Sequence, residues 1–409
     1  IFCMVVGIKS GKAGEVLLTE GILAGMFLTV WTGNYFCGKL SRHPFGCVEI
    51  RKICGGVLAV LILAETGIHG IVSITDNGTA NRDIYVESEQ EIGGLLESAG
   101  VDQVDYRTAI VNPLVRNEEI LYQLNGMSMY SSTNTEEMWN FVKNMGFENL
   151  ENRFQYAGST EVMDMLLGIR YLFCRNTRTL HTAYKKIAES QSFDLYENPR
   201  ALRSGYMVSY SVLDYAMEGT DPLEVQNRLL SGIVGKRLYK MQTVNSDTAL
   251  IGNTTFNIHL KKGEHGYLYI PGTEPDTVTI NGQEQKSDYW NNNFLDLGTY
   301  NVDTIVQVTT GTGMREAVLG TYQESELDSI YEELSSQQMD LKDGKGSISV
   351  KKDGILMLSV FYDPDMKVYV DGEKADVKSI QGLTGVKLSQ GTHIITMKYQ
   401  TPGLKTGHL

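Results

Sequence analysis

The chain has 409 residues, a net charge of −13 and a pI near 5.1, with 21% charged and 42% hydrophobic side chains. That balance excludes a nucleic-acid groove, because neutralising phosphates needs clustered Lys and Arg. Of the five cysteines only Cys174 lies beyond residue 54, which excludes a disulfide framework or zinc knuckle in the large polar part of a single chain.

The sequence begins at Ile1 without Met, and Ile1–Ile8 reads as the tail of an earlier apolar span rather than a signal peptide. A fragment of a longer chain is therefore expected. Val16–Phe36 is apolar but carries Glu20 and Asn34, which makes it a weak span. The segment after it holds Lys39, Arg42, Arg51 and Lys52 against one Glu49. Ile53–Ile74 is long enough, at about 1.5 Å per residue, to cross a hydrocarbon core. The positive-inside tendency puts the basic turn in the cytoplasm, with Lys9 and Lys12 opposing the bias, and everything after Ser73 outside. Glu65 and His69 stand four apart on one face of this span. They are either a functional intramembrane polar pair or a structural pin near the headgroups. Residues 1–75 are read as the C-terminal part of a multi-span membrane domain.

Residues 76–180 alternate helical and strand patterns, the signature of an extracytoplasmic α/β domain. Ser88-Glu89-Gln90-Glu91 matches a capping box before Ile92, Leu95, Leu96 and Ala99, with Gly100 as the stop. Asn134 or Thr135 opens a second helix with Met138, Phe141, Val142 and Met145 inward. A third follows Ser159 and breaks at Gly168 into the strand Ile169–Phe173. Residues 181–235 read as a helical connector, with Asp221-Pro222 as N-cap and first helical residue ahead of Val225, Leu229, Leu230 and Ile233.

An internal repeat follows. Ile258–Lys262, Gly266–Pro271 and Val278–Gly282 reappear as Ile348–Lys352, Met357–Pro364 and Val368–Gly372. Gly282 and Gly372 stand 90 positions apart, as do Lys261 and Lys351. Asn-Gly and Asp-Gly between alternating runs signal type I′ hairpins. The repeat predicts a first β-sandwich over 236–322, a helical linker over 323–342 and a second β-sandwich over 343–403. Leu327, Ile330, Tyr331 and Leu334 share one stripe of the linker helix. The predicted fold class is a membrane α-helical hairpin plus an α+β ectodomain, its mixed α/β layer followed by two tandem β-sandwich modules.

Two loops are candidate binding sites. Tyr130, Ser131, Ser132 and Asn134 precede a helix N-terminus, where free N–H groups receive a phosphate or sugar hydroxyl, although Ser and Asn there also serve as caps. Trp290, between Tyr289 and Asn291–Asn293, pairs an aromatic with amides as a glycan contact would, or else is a buried Trp in a turn. His259 and His265 flank a Lys-Lys-Gly turn without metal-ligand spacing, so no metal site is assigned. Gly311-Thr312-Gly313 lacks the third glycine of a dinucleotide fingerprint.

Several segments, in order, resemble the YfhO-type multi-pass bacterial membrane proteins, which are related to polyprenyl-phosphate-dependent glycosyltransferases. They are Leu63-Ala64-Glu65, Gly126–Asn134, Leu166–Leu172, Tyr196–Leu202 with Gly205-Tyr206, and Val368–Gly372 through Gly391–His393 to Tyr399 and Pro402-Gly403. Arg203 stands where the family has Pro. The resemblance implies transfer of a sugar from a lipid-linked donor to a cell-envelope glycopolymer such as lipoteichoic acid, at the membrane lipid surface and without nucleic acid. It also places the catalytic carboxylate in a first external loop upstream of Ile1, so no catalytic residue is assigned and no cofactor is named. The alternative is a non-catalytic, membrane-anchored binding or scaffolding protein with tandem β-sandwiches.

Overall fold

The computed structural model describes residues 13–39, 44–77, 81–101, 106–150, 152–175, 184–215, 221–246, 248–250, 253–271, 277–285, 294–311 and 316–399. Two compact units divide between Tyr85 and Val86.

The first unit holds the helices Ala13–Lys39 and Pro44–Asn77. They run antiparallel: Thr19 meets His69, Gly25 meets Leu61 and Gly33 meets Cys54. A Cβ on Gly33 would lie 3.0 Å from the Cys54 Sγ, so glycine sets the closest approach. Phe27, Ile53, Val60, Leu63 and Ile71 all point outward. Among the described residues one stretch, Cys47–Thr75, is long and apolar enough to cross a membrane. Its backbone hydrogen bonds are met within its own helix, as a membrane-crossing segment requires.

The second unit is a mixed α/β region with several sheets. Strands Arg107–Val111, Ile169–Arg175, Phe193–Glu197 and Lys185–Glu189 form one sheet in that order, with the first pair parallel and the others antiparallel. Alternation along the strands sends Ile110, Tyr171 and Phe173 to one face, where they meet Ile92, Leu95 and Leu96 of the helix Arg82–Ala99. Ala109, Val111, Leu172 and Cys174 face the other way, into a core shared with helices Glu136–Asn144 and Glu161–Leu167.

Helix ends follow local chemistry in most places. Thr135, rather than Asn134, caps the Glu136–Asn144 helix, accepting the Met138 N–H at 3.2 Å. Gly168, at φ 69°, ends the Glu161–Leu167 helix. Asp221 accepts the Leu223 N–H at 2.9 Å ahead of Pro222. Ser88 is a correction. The helix already runs from Arg82, so Ser88 is buried in mid-helix, and Glu91 turns away to accept hydrogen bonds from Ser190 and Ser192.

The segment 181–235, expected as a helical connector, carries three strands before its helix. Two complete the sheet above. The third, Gly205–Val208, crosses to the repeat region and pairs with Gly354–Phe361.

Each repeat builds two sheets around one core. In the first, strands 248–250, 253–260, 304–310, 277–280 and 283–285 face strands 294–299, 264–269, 316–323 and 240–245. Phe256, Ile258, Val306 and Val308 bury against Leu268, Leu295, Leu319 and Val244. In the second, strands 345–350, 391–399, 366–370 and 373–374 face 377–380, 383–388, 354–361, 205–208 and 338–339. Ile348, Val350, Val368 and Ile395 meet Leu356, Leu358, Val386, Leu388, Met207 and Met339. Strand Glu316–Gln323 of the first copy has its counterpart in Gly205–Val208, a strand borrowed from upstream. Helix Glu324–Ser335 links the copies and buries Leu327, Ile330 and Leu334.

Candidate functional site

A cleft of about 440 Å³ opens where four chain segments end together. They are the turn after strand Gly205–Val208, the C-termini of helices Pro222–Val234 and Glu324–Ser335, and the turn before strand Gly354–Phe361. Tyr210 is 41% exposed at its wall. Ser209 caps the short 3₁₀ turn that carries Tyr210, and the Ser211 hydroxyl donates to the Gly232 carbonyl at 2.9 Å. Gly235, at φ 70°, closes one helix. The last carbonyls of both helices are already taken, Ile233 by the Ser209 N–H, Gly232 by Ser211, Leu334 by the Gln337 N–H and Glu333 by the Ser336 hydroxyl. Glu333, Lys352 and Asp353 add charge of both signs. Asp353 Oδ1 accepts the Gln390 N–H at 2.7 Å, and Glu333 pairs with Lys236 at 2.8 Å. An aromatic face, hydroxyls and carboxylates around a pocket of this size suit a sugar ring.

The other end of the Glu324–Ser335 helix is pinned by a buried charge cluster. His265 is fully buried between the rings of Tyr267 and Tyr322, at centroid distances of 4.8 and 5.1 Å. Its Nδ1 lies 2.9 Å from Thr299 Oγ1, which itself donates to Glu324 at 3.1 Å, so Nδ1 carries a proton. Nε2 sits 3.0 Å from Asp296. Burial pulls the imidazole pKa down, but Asp296, Glu324 and Glu161 outweigh it and hold the pKa at about 10. Burial pushes Glu324 up, yet His265 and Arg200 bring it to about 2. Arg200 spans the cluster, reaching Glu161 at 3.0 Å, Glu324 at 2.6 Å and Asp328 at 2.7 Å.

Glu161, His265 and Glu324 bring ligand atoms within 4.8 Å of one another, as a metal centre would. The chemistry of the set argues otherwise. Arg200 holds both carboxylates and the imidazole is protonated, so the cluster supplies its own cations. It is an ion-pair hub that ties the Glu161–Leu167 helix, the 198–203 loop and the first repeat to the linker helix.

The sequence-predicted residues lie elsewhere. Tyr130 is 45% exposed under the Arg116 guanidinium, 4.8 Å from its ring centre, and its N–H donates to Asn117 at 2.6 Å. Ser131 Oγ lies 2.8 Å from Thr133 Oγ1, and Asn134 donates to the Asn152 carbonyl at 3.4 Å. These three share one loop. Trp290 falls outside the described residues. His69 faces Thr19 across the helix pair at 3.3 Å, and no hydrogen bond joins it to Glu65 among the described residues. Arg203 pairs with Asp340 at 2.7 Å and donates its N–H to Gln338, a bond Pro would have no hydrogen to make. Sequence reasoning missed the cleft and the hub because their members lie far apart in the chain.

One helix long and apolar enough to cross a membrane precedes a large region of sheets and helices, an arrangement consistent with a membrane anchor. Residues 22–409 match the family described as bacterial membrane protein YfhO, and the chain belongs to that family. No functionally curated protein matches the sequence. Two solved structures are similar over part of it. A GH2 β-galacturonidase from Eisenbergiella tayi bound to glycerol is 11% identical and covers 41% of this chain and 37% of its own, at a TM-score of 0.15. An FMN-binding β-glucuronidase from Facaelibacterium prausnitzii L2-6 is 10% identical and covers 39% and 32%, at 0.14. The chain thus spans only about a third of either enzyme's length.

Proposed function

We propose that this chain is the C-terminal part of a glycosyltransferase-like envelope protein. The full-length protein transfers a sugar from a polyprenyl-phosphate-linked donor to a glycopolymer such as lipoteichoic acid. The extramembranous unit lies outside the cytoplasm and positions the acceptor. Family membership over residues 22–409 supports a sugar-handling role in the envelope. Within the chain, the observation that carries the reading is the exposed Tyr210 ring set among Ser211, Glu333, Lys352 and Asp353. Sugar C–H faces stack on such a ring while carboxylates and the ammonium bond the hydroxyls.

Each pair of sheets is read as a β-sandwich, and the two helices as a membrane hairpin with Glu65 and His69 as its polar pin. Tyr130, Ser131, Asn134 and Trp290 are read as further acceptor contacts. No catalytic residue is assigned within the chain. Positioning groups act by holding reactants in near-attack geometry.

In the full-length protein, Tyr210→Ala combined with Asp353→Asn is expected to cut sugar incorporation by about tenfold at unchanged membrane level. Undiminished incorporation overturns the cleft's role. The Glu333–Lys236 ion pair suits binding better than proton transfer and favours, as a second reading, a non-catalytic membrane-anchored binder. That protein would retain glycopolymer on membranes and transfer no sugar.

A further inference from the structure

A second pocket, of about 170 Å³, lies apart from the cleft. The start of strand Arg107–Val111, the Gly168 turn, the 202–204 loop and strand Gly354–Phe361 enclose it. Arg107 is the one ionisable side chain among the residues that line it. Its Nη1 donates to the Leu167 carbonyl at 3.3 Å, and no carboxylate pairs with it among the described residues. Burial pulls this guanidinium down to about 10, opposed by Tyr206. The guanidinium is half-buried, and an anion beside it would offset the cost of that desolvation.

The other polar groups in the wall are the Asn125 amide and the Ser204 and Ser359 hydroxyls. Ser359 Oγ donates to the Ser204 carbonyl at 3.3 Å, but that carbonyl also takes the Ser359 N–H at 2.9 Å. Rotating the hydroxyl into the pocket therefore leaves the backbone satisfied. The guanidinium has five N–H donors, of which one donates to Leu167 among the described residues.

We infer that the Arg107 pocket binds a phosphate group, held by the guanidinium fork and the Asn125, Ser204 and Ser359 donors. Donors that converge from several segments fit a tetrahedral oxyanion better than a planar carboxylate. The volume has room for a phosphate group. The group is either free inorganic phosphate or a phosphodiester on a larger molecule. This site stands independently of the Tyr210 cleft.

The test titrates the full chain in detergent with inorganic phosphate, glycerophosphoglycerol and acetate, read by calorimetry and by ³¹P line broadening. Saturable binding of either phosphate compound is expected, weakened about tenfold or more in Arg107→Gln and less in Arg107→Lys. Preference for the diester identifies a polymer or lipid source, and preference for the free ion identifies inorganic phosphate. Ser204→Ala, which keeps the backbone bond to Ser359, is expected to weaken binding several-fold and serves if Arg107→Gln fails to fold. Equal affinity in wild type and both variants, no saturable binding, or acetate binding as tightly as phosphate overturns the assignment.

Discussion

Asn281 and Asp371, 90 positions apart, make the same pair of bonds in two copies of one turn. Asn281 Oδ1 accepts the Ile305 N–H at 3.0 Å while its own N–H donates to the Ile305 carbonyl at 2.9 Å. Asp371 Oδ1 accepts the Ile394 N–H at 2.8 Å, and its N–H donates to the Ile394 carbonyl at 2.9 Å. Both residues have positive φ, 48° and 53°, and the glycines after them have 81° and 91°. The side chain thus ties each hairpin turn to the neighbouring strand, which fixes register as well as direction.

Gly282→Val and Gly372→Val should each destabilise the protein by about 1–2 kcal/mol, because an L-residue with a branched side chain resists that backbone region. A Cβ at either position meets nothing within 4 Å, so the cost is conformational rather than steric. Thermal unfolding against Ser347→Val measures it. Equal melting temperatures in all three variants would contradict the turn assignment.

Arg200→Met should destabilise by about 3–5 kcal/mol, since it leaves Glu161 buried beside Glu324 with one cation fewer. Chemical denaturation reads this directly. A loss below about 1 kcal/mol would mean that the hub relaxes without Arg200.

His265 gives a pH dependence with a definite sign. Its folded pKa of about 10 lies above the unfolded value near 6.5, so its stabilisation is complete below about pH 6.5 and disappears as pH rises toward 10. Glu324, held at about 2, contributes above its unfolded value of 4.5 and loses that contribution as pH falls toward 2. Melting curves from pH 6 to 10 should decline more steeply in wild type than in His265→Gln. Parallel curves would remove the imidazolium from the argument.

Tyr130→Ala and Asn134→Ala should reduce sugar incorporation by the full-length protein several-fold while leaving expression and insertion intact. Neither residue caps the following helix, a task that falls to Thr135, so their loss should cost little stability, within about 0.5 kcal/mol. Normal incorporation in both variants leaves them as loop residues.

Ser347, exposed on strand Lys345–Val350, reports topology. Ser347→Cys, in a background without the native cysteines, should react with an impermeant reagent on intact cells. Protection until the membrane is permeabilised would invert the proposed orientation.

What could be read from sequence was local. The Asp221-Pro222 cap, the Gly168 stop and the Asn-Gly and Asp-Gly turns each depend on residues within one turn of backbone, and each stands where expected. Ser88 failed because a capping box is a pattern of four residues, and its helix already begins six residues upstream at Arg82. Gly205–Val208 was hidden because its strand character depends on Gly354–Phe361 beside it. The hub was hidden for the same reason. His265, Glu161 and Arg200 belong to three segments that only the tertiary fold brings together.

The borrowed strand imposes an order on how the molecule is made. Gly205–Val208 leaves the ribosome about 150 residues ahead of Gly354–Phe361, a wait of roughly 7–30 s at about 5–20 residues per second. The first repeat, with its strands closer together in the chain, is complete before then. During the interval the waiting strand presents an open edge to any neighbouring chain, the geometry from which intermolecular pairing grows. Chains that stop short of Gly354 would keep that edge permanently, so premature termination late in this protein should yield aggregates rather than shortened, soluble products.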